Sequence, residues 1–444
     1  MKQLLIITAI LFGICLLPRE VRAEQGSQAL RTWTLPAGAL VTRFDPETDT
    51  EPSAPWKPFP HSVLDADQQV EGQLLFVSHH AATFLSEDGV YYGINKKQLS
   101  TEDVQYVTDS TPEIERVLKE RILAEGHKAA AESPLDESIW VPQLTGEAWQ
   151  IGKDSPDVSP YTGGSACDYT LFRAADGTWQ CIACIRHTSW SGKTRLFHRW
   201  EGKSMDQADW EPKGIFYKAT PGIGNQTVKR SVQAPHMVEI DDQFYMFYNI
   251  GGGAGGAYCM ISEDGKNFEH LKSPEGSEHL FKMGRDVCVY EEDGAWYAYY
   301  CGNEVGMIYR TASVPEGPWS EEKVVRSYGN PESPFVLKYK GRYYLWQQSH
   351  VIISDSPDSF ENMVVAQASP RGGWAPEIII DEEGNYYASS YKDGIWAQRL
   401  EWVQKSPEEI AQWRAENWEA IRPKPSLPER IANSAFTVLR KAKK

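Results

Sequence analysis

Short apolar runs alternate with turn residues along most of the chain, and the period of the alternation changes only twice. From Arg31 to Val107, a stretch including "LLFVSHHAATFLSEDGVYYGINKKQLSTEDVQYV" reads as a strand, a turn at Asp88-Gly89, a second strand and a short helical end. Period-two alternation bounded by Gly, Pro and Asp predicts a small antiparallel β module. The segment "STPEIERVLKERILAEGHKAAAE" then switches to a helical period, with Ser110 or Thr111 as its cap and Glu113 in the first turn. The same cap-and-acid pattern returns at Ser406 to Glu409 in "SPEEIAQWRAENWEAI", ahead of a Pro-broken tail with basic residues at Arg440 to Lys444.

Between the two helices one pattern repeats five times: a polar or acidic residue, an apolar strand, a turn and an aromatic-rich strand. The copies are "CDYTLFRAADGTWQCIACIR", "APHMVEIDDQFYMFYNIG", "RDVCVYEEDGAWYAYYCG", "ESPFVLKYKGRYYLWQQS" and "APEIIIDEEGNYYASSYK". Their turns at Asp176-Gly177, Asp241-Asp242, Asp293-Gly294, Lys340-Gly341 and Glu383-Gly384 carry the residues that tight hairpins require. Taking Asp168, His236, Asp286, Glu332 and Glu377 as equivalent anchors gives a repeat of roughly 45 to 70 residues, close to the length of a four-stranded propeller blade. The segments between them lack the amphipathic helices that a doubly wound α/β protein needs. The prediction is a mainly β chain with a five-bladed β-propeller from about Ile139 to Val403.

In a propeller the innermost strands line one channel, so equivalent positions far apart in sequence become neighbours. Carboxylates stand at Asp168, Asp286 and Glu332 on blades one, three and four, and Glu377 is a fourth on blade five. Acetal hydrolysis needs one carboxylic acid to protonate the leaving oxygen and one carboxylate to activate water or attack the anomeric carbon. The chain therefore carries suitable groups. His236 and Trp374 are candidates for contacts to a sugar hydroxyl and a sugar face, although most of the 16 tryptophans are expected in blade packing.

"ESPFVLKYKGRYYLWQQS" resembles the general-acid segment of glycoside hydrolase family 43, and "RDVCVYEEDGAWYAYY" and "CDYTLFRAADGTWQ" resemble the segments bearing its two aspartates. Arg285-Asp286 is also similar to the Arg-Asp-Pro motif of the related family 32. The resemblance implies Asp168 as general base or nucleophile, Asp286 as pKa modulator or transition-state stabiliser and Glu332 as general acid, with Arg285, His236, Trp374 and Glu377 as substrate contacts. The chain departs from both families in lacking Pro after Asp168 and Asp286, and its "WAPE", at Trp374 to Glu377, falls on the last blade. "RTWT" and "KKQLSTEDVQYV" resemble the Sla-type homology domain, which implies an SH3-like barrel with a binding or spacer role.

The formal net charge of −16 over 444 residues, with no basic patch outside the last few positions, excludes a nucleic-acid surface. Met1 to Ala23, with its apolar run Leu4 to Leu17, reads as a cleaved secretory signal, and no later run is long enough to span a bilayer. A secreted or periplasmic protein is expected, organised as 1–23 signal, 24–109 barrel, 110–137 helical linker, 138–404 propeller and 405–444 helix and tail. Its six remaining cysteines are expected as buried thiols or as a hairpin crosslink such as Cys288 with Cys301. Neither the Cys181-Cys184 pair nor the Gly-rich Ile250 to Tyr258 has the context of a metal, redox or phosphate site. No cofactor or metal is required. The expected activity is hydrolysis of a polysaccharide or oligosaccharide; a non-catalytic carbohydrate-binding propeller and a scaffold acting by protein or cell-surface contact through the barrel are the alternatives.

Overall fold

A computed structural model describes residues 30–52, 59–132, 135–190, 195–219, 231–250, 256–282, 284–302, 306–326, 332–360 and 363–422, together with 428, 430–432 and 434. The expected signal, the basic tail and most of the Gly-rich stretch lie outside them. The chain divides into two compact units, residues 1–126 with 424–444, and residues 127–423. No helix among the described residues is long and apolar enough to cross a membrane.

The first unit is one six-stranded antiparallel sheet, in the order Arg31–Leu35, Gln68–Val77, Ala81–Ser86, Tyr91–Asn95, Leu40–Phe44, His61–Val63. Its core is built on Trp33, which stacks on Phe84 at 4.8 Å and donates from Nε1 to the Gly72 carbonyl at 2.9 Å. The two end strands are not paired with each other, so the expected SH3-like barrel is met as an open sheet. Ile431 fills a slot between Phe44, Phe59 and Tyr91, over Gly93, where an added Cβ would collide with it.

The helix expected after Ser110 starts earlier, at Thr101, and runs to Glu132. Its cap is Ser100, whose Oγ accepts from the Asp103 N–H at 3.0 Å. Thr111-Pro112-Glu113 looks like a helix start in sequence because Pro suits a first turn. Here Pro112 sits inside the helix, and the nearby Thr108 and Thr111 hydroxyls donate back to carbonyls one turn earlier.

The second unit is a five-bladed β-propeller. Blade one comprises Ser165–Arg173, Trp179–Arg186, Leu196–Gly202 and Glu211–Tyr217; blade two is Val232–Ile240, Gln243–Ile250 and Ala257–Ser262, edged by Glu269–His270 and His279–Phe281. Blade three is Arg285–Glu292, Ala295–Gly302, Gly306–Ala312 and Lys323–Arg326; blade four is Pro334–Tyr339, Arg342–Gln347, His350–Ser354 and Val364–Gln367. Blade five joins Trp374–Ile380, Tyr386–Tyr391 and Ile395–Lys405 to Ile139–Gly152, a strand that precedes blade one in the chain. Each inner strand touches the next, and the fifth returns to the first, closing the ring.

Each junction between neighbouring blades holds its own apolar core, for example Trp200 and Trp179 with Tyr387 between blades one and five, or Phe247 with Trp296 and Tyr300 between two and three. The aromatic second strands of the repeat supply these cores, which is why the tryptophans and tyrosines recur with it. The hairpins form where expected, with left-handed backbone at Asp241 and Asp242, Asp293 and Gly294, and Lys340 and Gly341. Helix Pro407–Glu416 carries the expected capping box, Glu409 N–H to Ser406 Oγ at 3.3 Å and Ser406 N–H to Glu409 Oε2 at 2.9 Å, and packs Ile410 on the outer strand of blade four.

The six described cysteines are buried, and none is bonded to another in this structure. The Cys288–Cys301 crosslink does not form, because the strand register sets Cys288 opposite Tyr299 and Cys301 opposite Arg285.

His198, fully buried on the third strand of blade one, gives a stability prediction. Burial, partly offset by the Asp157 backbone, pushes its imidazole from 6.5 down to about 4. A histidine depressed by folding leaves stability intact above its unfolded value and drains it as pH falls from about 6.5 toward 4, by roughly 3 kcal/mol in all. His198→Leu is expected to flatten this acid limb in urea unfolding measured between pH 7 and 4; an unchanged slope would place the proton uptake elsewhere.

Candidate functional site

The inner strands share a backbone irregularity at the end of the channel where they begin. Asp168, Ala234, Asp286, Ser333 and Ala375 all have positive φ, between 20° and 57°. The ladder slips at four of them, and at the fifth the Glu332 carbonyl accepts from Gln348 N–H just before pairing resumes at Pro334. These are bulges, one per blade, and they re-aim the side chains around them. Left-handed backbone is unfavourable for Ala and Ser and milder for Asp, and strain of this kind collects at functional sites.

The bulges correct the alignment of the repeat. The five anchors read from sequence are not equivalent: Asp168 and Asp286 are bulge residues, Glu332 stands one position before its bulge, and His236 and Glu377 stand two after theirs. The first position holds Cys167, Gln233, Arg285, Glu332 and Trp374; the last holds Thr170, His236, Cys288, Phe335 and Glu377. The channel is thus built in layers, around a cavity of about 30 Å³ whose lining includes Asp168, Asp286, His236 and Glu377.

The deeper layer is a closed polar network. The His236 Nε2–H donates to the Val289 carbonyl at 2.9 Å, which turns Nδ1 toward Glu377 Oε1 at 3.6 Å. Glu377, 8% exposed, also accepts from the Leu171 N–H at 3.0 Å. Burial raises the Glu377 carboxyl, opposed by His236; burial would depress His236, but its contacts with Cys288 and Glu377 hold it well above the ordinary value. The two titrations are therefore coupled, and their protons belong to the pair and not to either residue.

The outer layer gathers the three acids. Asp286, 8% exposed, is raised well above the ordinary aspartate range by burial, then by the charges of Asp168 and Glu332, and by a hydrogen bond to Glu332. Asp168 is raised by burial, with Glu332 adding and Arg195 opposing. Arg195 Nη1 donates to Asp168 Oδ2 at 3.3 Å and to Gln233 Oε1 at 3.2 Å. Arg285 grips Glu332 through both Nη2 and Nε, the latter at 3.2 Å, and lies 3.6 Å from Asp286 Oδ2. Cys301 Sγ donates to Asp286 Oδ2 at 3.4 Å. Three like charges this close cannot all ionise at neutral pH without cost, so a proton is retained among them, on Asp286 by direction of shift.

No protein-family model matches the chain, and no curated protein matches it. Among solved structures, it is similar to a β-xylosidase named RS223, at 12% identity and TM-score 0.41 over 56% of this chain and 94% of that one. A GH43_1 enzyme from Xanthomonas citri gives 14% and 0.40 over 64% and 95%. A GH43 β-xylosidase/α-arabinofuranosidase from a compost microbial metagenome, in complex with xylotriose, gives 15% and 0.39 over 59% and 95%. The propeller assignment rests on the sheet order and the closed ring of inner strands.

Among the described residues two triplets have metal-ligand spacing, Cys167 with Asp168 and Cys184, and Asp286 with Cys301 and Glu332, each with its ligand atoms within 4.8 Å of one another. A guanidinium already faces each, Arg195 the first and Arg285 the second, and supplies the positive charge a cation would bring.

Trp374, 48% exposed, stands on the same rim. Arg195 and Gln233 were not found from sequence. Gln233 is the blade-two residue aligned with Glu332 and becomes visible once the repeat is aligned on Pro235, Pro334 and Pro376. Arg195 belongs to no motif and reaches Asp168 only through the fold.

Proposed function

We propose that the protein is a glycoside hydrolase whose reaction centre is the outer layer of the channel. The observation that carries this is the convergence of Asp168, Asp286 and Glu332 from three blades, with Asp286 and Glu332 oxygens within 4.8 Å of each other and a raised carboxyl among them. A carboxylic acid kept protonated beside an ionised one is the acid/base pair that glycosidic cleavage uses. Asp168, held by Arg195, acts as base or nucleophile; Glu332 delivers the proton to the leaving oxygen; Asp286, keeping its own proton beside Glu332, positions that acid. Trp374 offers a face for a sugar ring.

The proposal is tested by incubating the wild type with aryl glycosides and with arabinose-, xylose-, galactose- and fructose-containing polymers. Release of sugar from at least one, abolished in Asp168→Asn, is the expected result. A second reading is favoured by one observation, the two-point grip of Arg285 on Glu332, which occupies the oxygens that would have to meet a leaving group. It predicts a carbohydrate-binding propeller, seen as calorimetric binding of oligosaccharides with no turnover.

Asp286 makes a pH prediction. Its own carboxyl is raised well above the ordinary aspartate range by burial and by the charges of Asp168 and Glu332, so kcat/KM should fall along an alkaline limb where that proton is lost. Asp286→Asn, neutral at every pH, should remove this limb. A limb that stays in place would assign it to another group.

A further inference from the structure

We propose that Cys167 and Cys184 form a disulfide bond that staples the first two strands of blade one beside Asp168. They are the one pair among the six described cysteines set directly opposite each other in the strand register. Directly opposed residues on antiparallel strands have Cα atoms about 4.5 to 5.5 Å apart, inside the roughly 4.4 to 6.8 Å window that a disulfide accepts. Their Sγ atoms lie within 4.8 Å of each other. What holds the sulfurs now is weak: Cys167 donates to the Cys184 carbonyl at 3.5 Å and Cys184 to the Val232 carbonyl at 3.4 Å, so a side-chain rotation sacrifices little. Cys181 offers no competing bridge, since its neighbours across the sheet are Leu171 and Trp200.

The position gives the bond a consequence. The ladder slips immediately after Cys167, at the bulge that aims Asp168 into the channel. A covalent tie at Cys167 fixes the strand on one side of that bulge. It also removes the thiol proton of Cys167, whose sulfur lies within 4.8 Å of an Asp168 carboxylate oxygen, and leaves Arg195 as the principal partner of that group.

The oxidant is a small-molecule disulfide such as oxidised glutathione. The thiolate of one cysteine attacks a sulfur of the oxidant, forming a mixed disulfide and releasing one thiol. The second cysteine then attacks the protein sulfur of the mixed disulfide, forming the Sγ–Sγ bond and releasing the second thiol. Two protons pass from the cysteines to the departing thiolates, and the two electrons reduce the oxidant. Both sulfurs are buried, so exchange takes place before the blades pack, during folding.

The test refolds the full chain in a glutathione redox buffer and compares it with chain kept in reductant, using alkylation under denaturing conditions and peptide mass mapping. The full chain has seven cysteines, so the expected product has five alkylated cysteines and a linked Cys167–Cys184 peptide pair lighter by two hydrogens. Closing this loop should raise Tm by roughly 5 to 10 °C over the reduced form. Cys167→Ser and Cys184→Ser should each abolish the linked pair and the Tm difference, while Cys259→Ser should keep both. Seven alkylated cysteines after oxidative refolding, or a link between any other pair, overturns the proposal. Because the readouts are mass and Tm, the outcome is independent of whether the chain hydrolyses a sugar.

Discussion

Glu332→Gln is expected to lower kcat on substrates with poor leaving groups by about a thousandfold, the middle of the range for losing a positioned general acid. Glutamine keeps the shape and an acceptor for Arg285 but has no proton to give. The loss should therefore depend on the leaving group. A dinitrophenyl glycoside departs without protonation, so the variant should approach wild-type rates on it while remaining crippled on an alkyl glycoside. Glu332 is about a third exposed and at the rim, so Tm should shift by no more than about 2 °C. An equal loss on both leaving groups would mean that Glu332 positions Arg285 and Asp286, and an unchanged kcat would remove it from the mechanism altogether.

The second large effect concerns stability. Glu377→Ala is expected to cost about 3 to 5 kcal/mol, the usual result of removing one partner from a buried pair. It orphans the Leu171 N–H and leaves His236 facing a hole with its other nitrogen fixed on Val289. Replacing both members, as His236→Phe with Glu377→Leu, should cost less than Glu377→Leu alone, because the buried imidazole no longer faces an apolar side chain and only the Leu171 N–H and the Val289 carbonyl lose a partner. Urea unfolding of the four proteins in the double-mutant cycle gives the coupling directly. A small loss from Glu377→Ala combined with a large rise in KM would transfer the pair from holding the blades together to contacting the sugar.

These two experiments separate layers that the sequence merges. The repeat, its hairpin turns and the aromatic strands are legible because each depends on residues close in sequence. The equivalence of the acidic anchors is not, because a bulge shifts register by one residue and side-chain direction alternates at every residue. Aligned by charge, Glu332 and Glu377 look like counterparts of Asp168; aligned by Pro235, Pro334 and Pro376, they fall into the positions before and after the bulge. The helix start at Ser100 was hidden by the more conspicuous Thr111-Pro112-Glu113. Arg195, one residue before the third strand of blade one and beside Asp168 only through the fold, has no local signature at all.

Blade five has a consequence for how the chain is made. Its outer strand, Ile139–Gly152, precedes the other four blades, whereas its remaining strands lie between Trp374 and Lys405. On the ribosome the early strand emerges with no partner and keeps an open hydrogen-bonding edge until more than two hundred further residues have been added. Such long-range pairing folds late and is exposed to association meanwhile. Nascent chains stalled within blade four should therefore be held by chaperones or aggregate, and protection from protease should arrive in one step when the last strand is released.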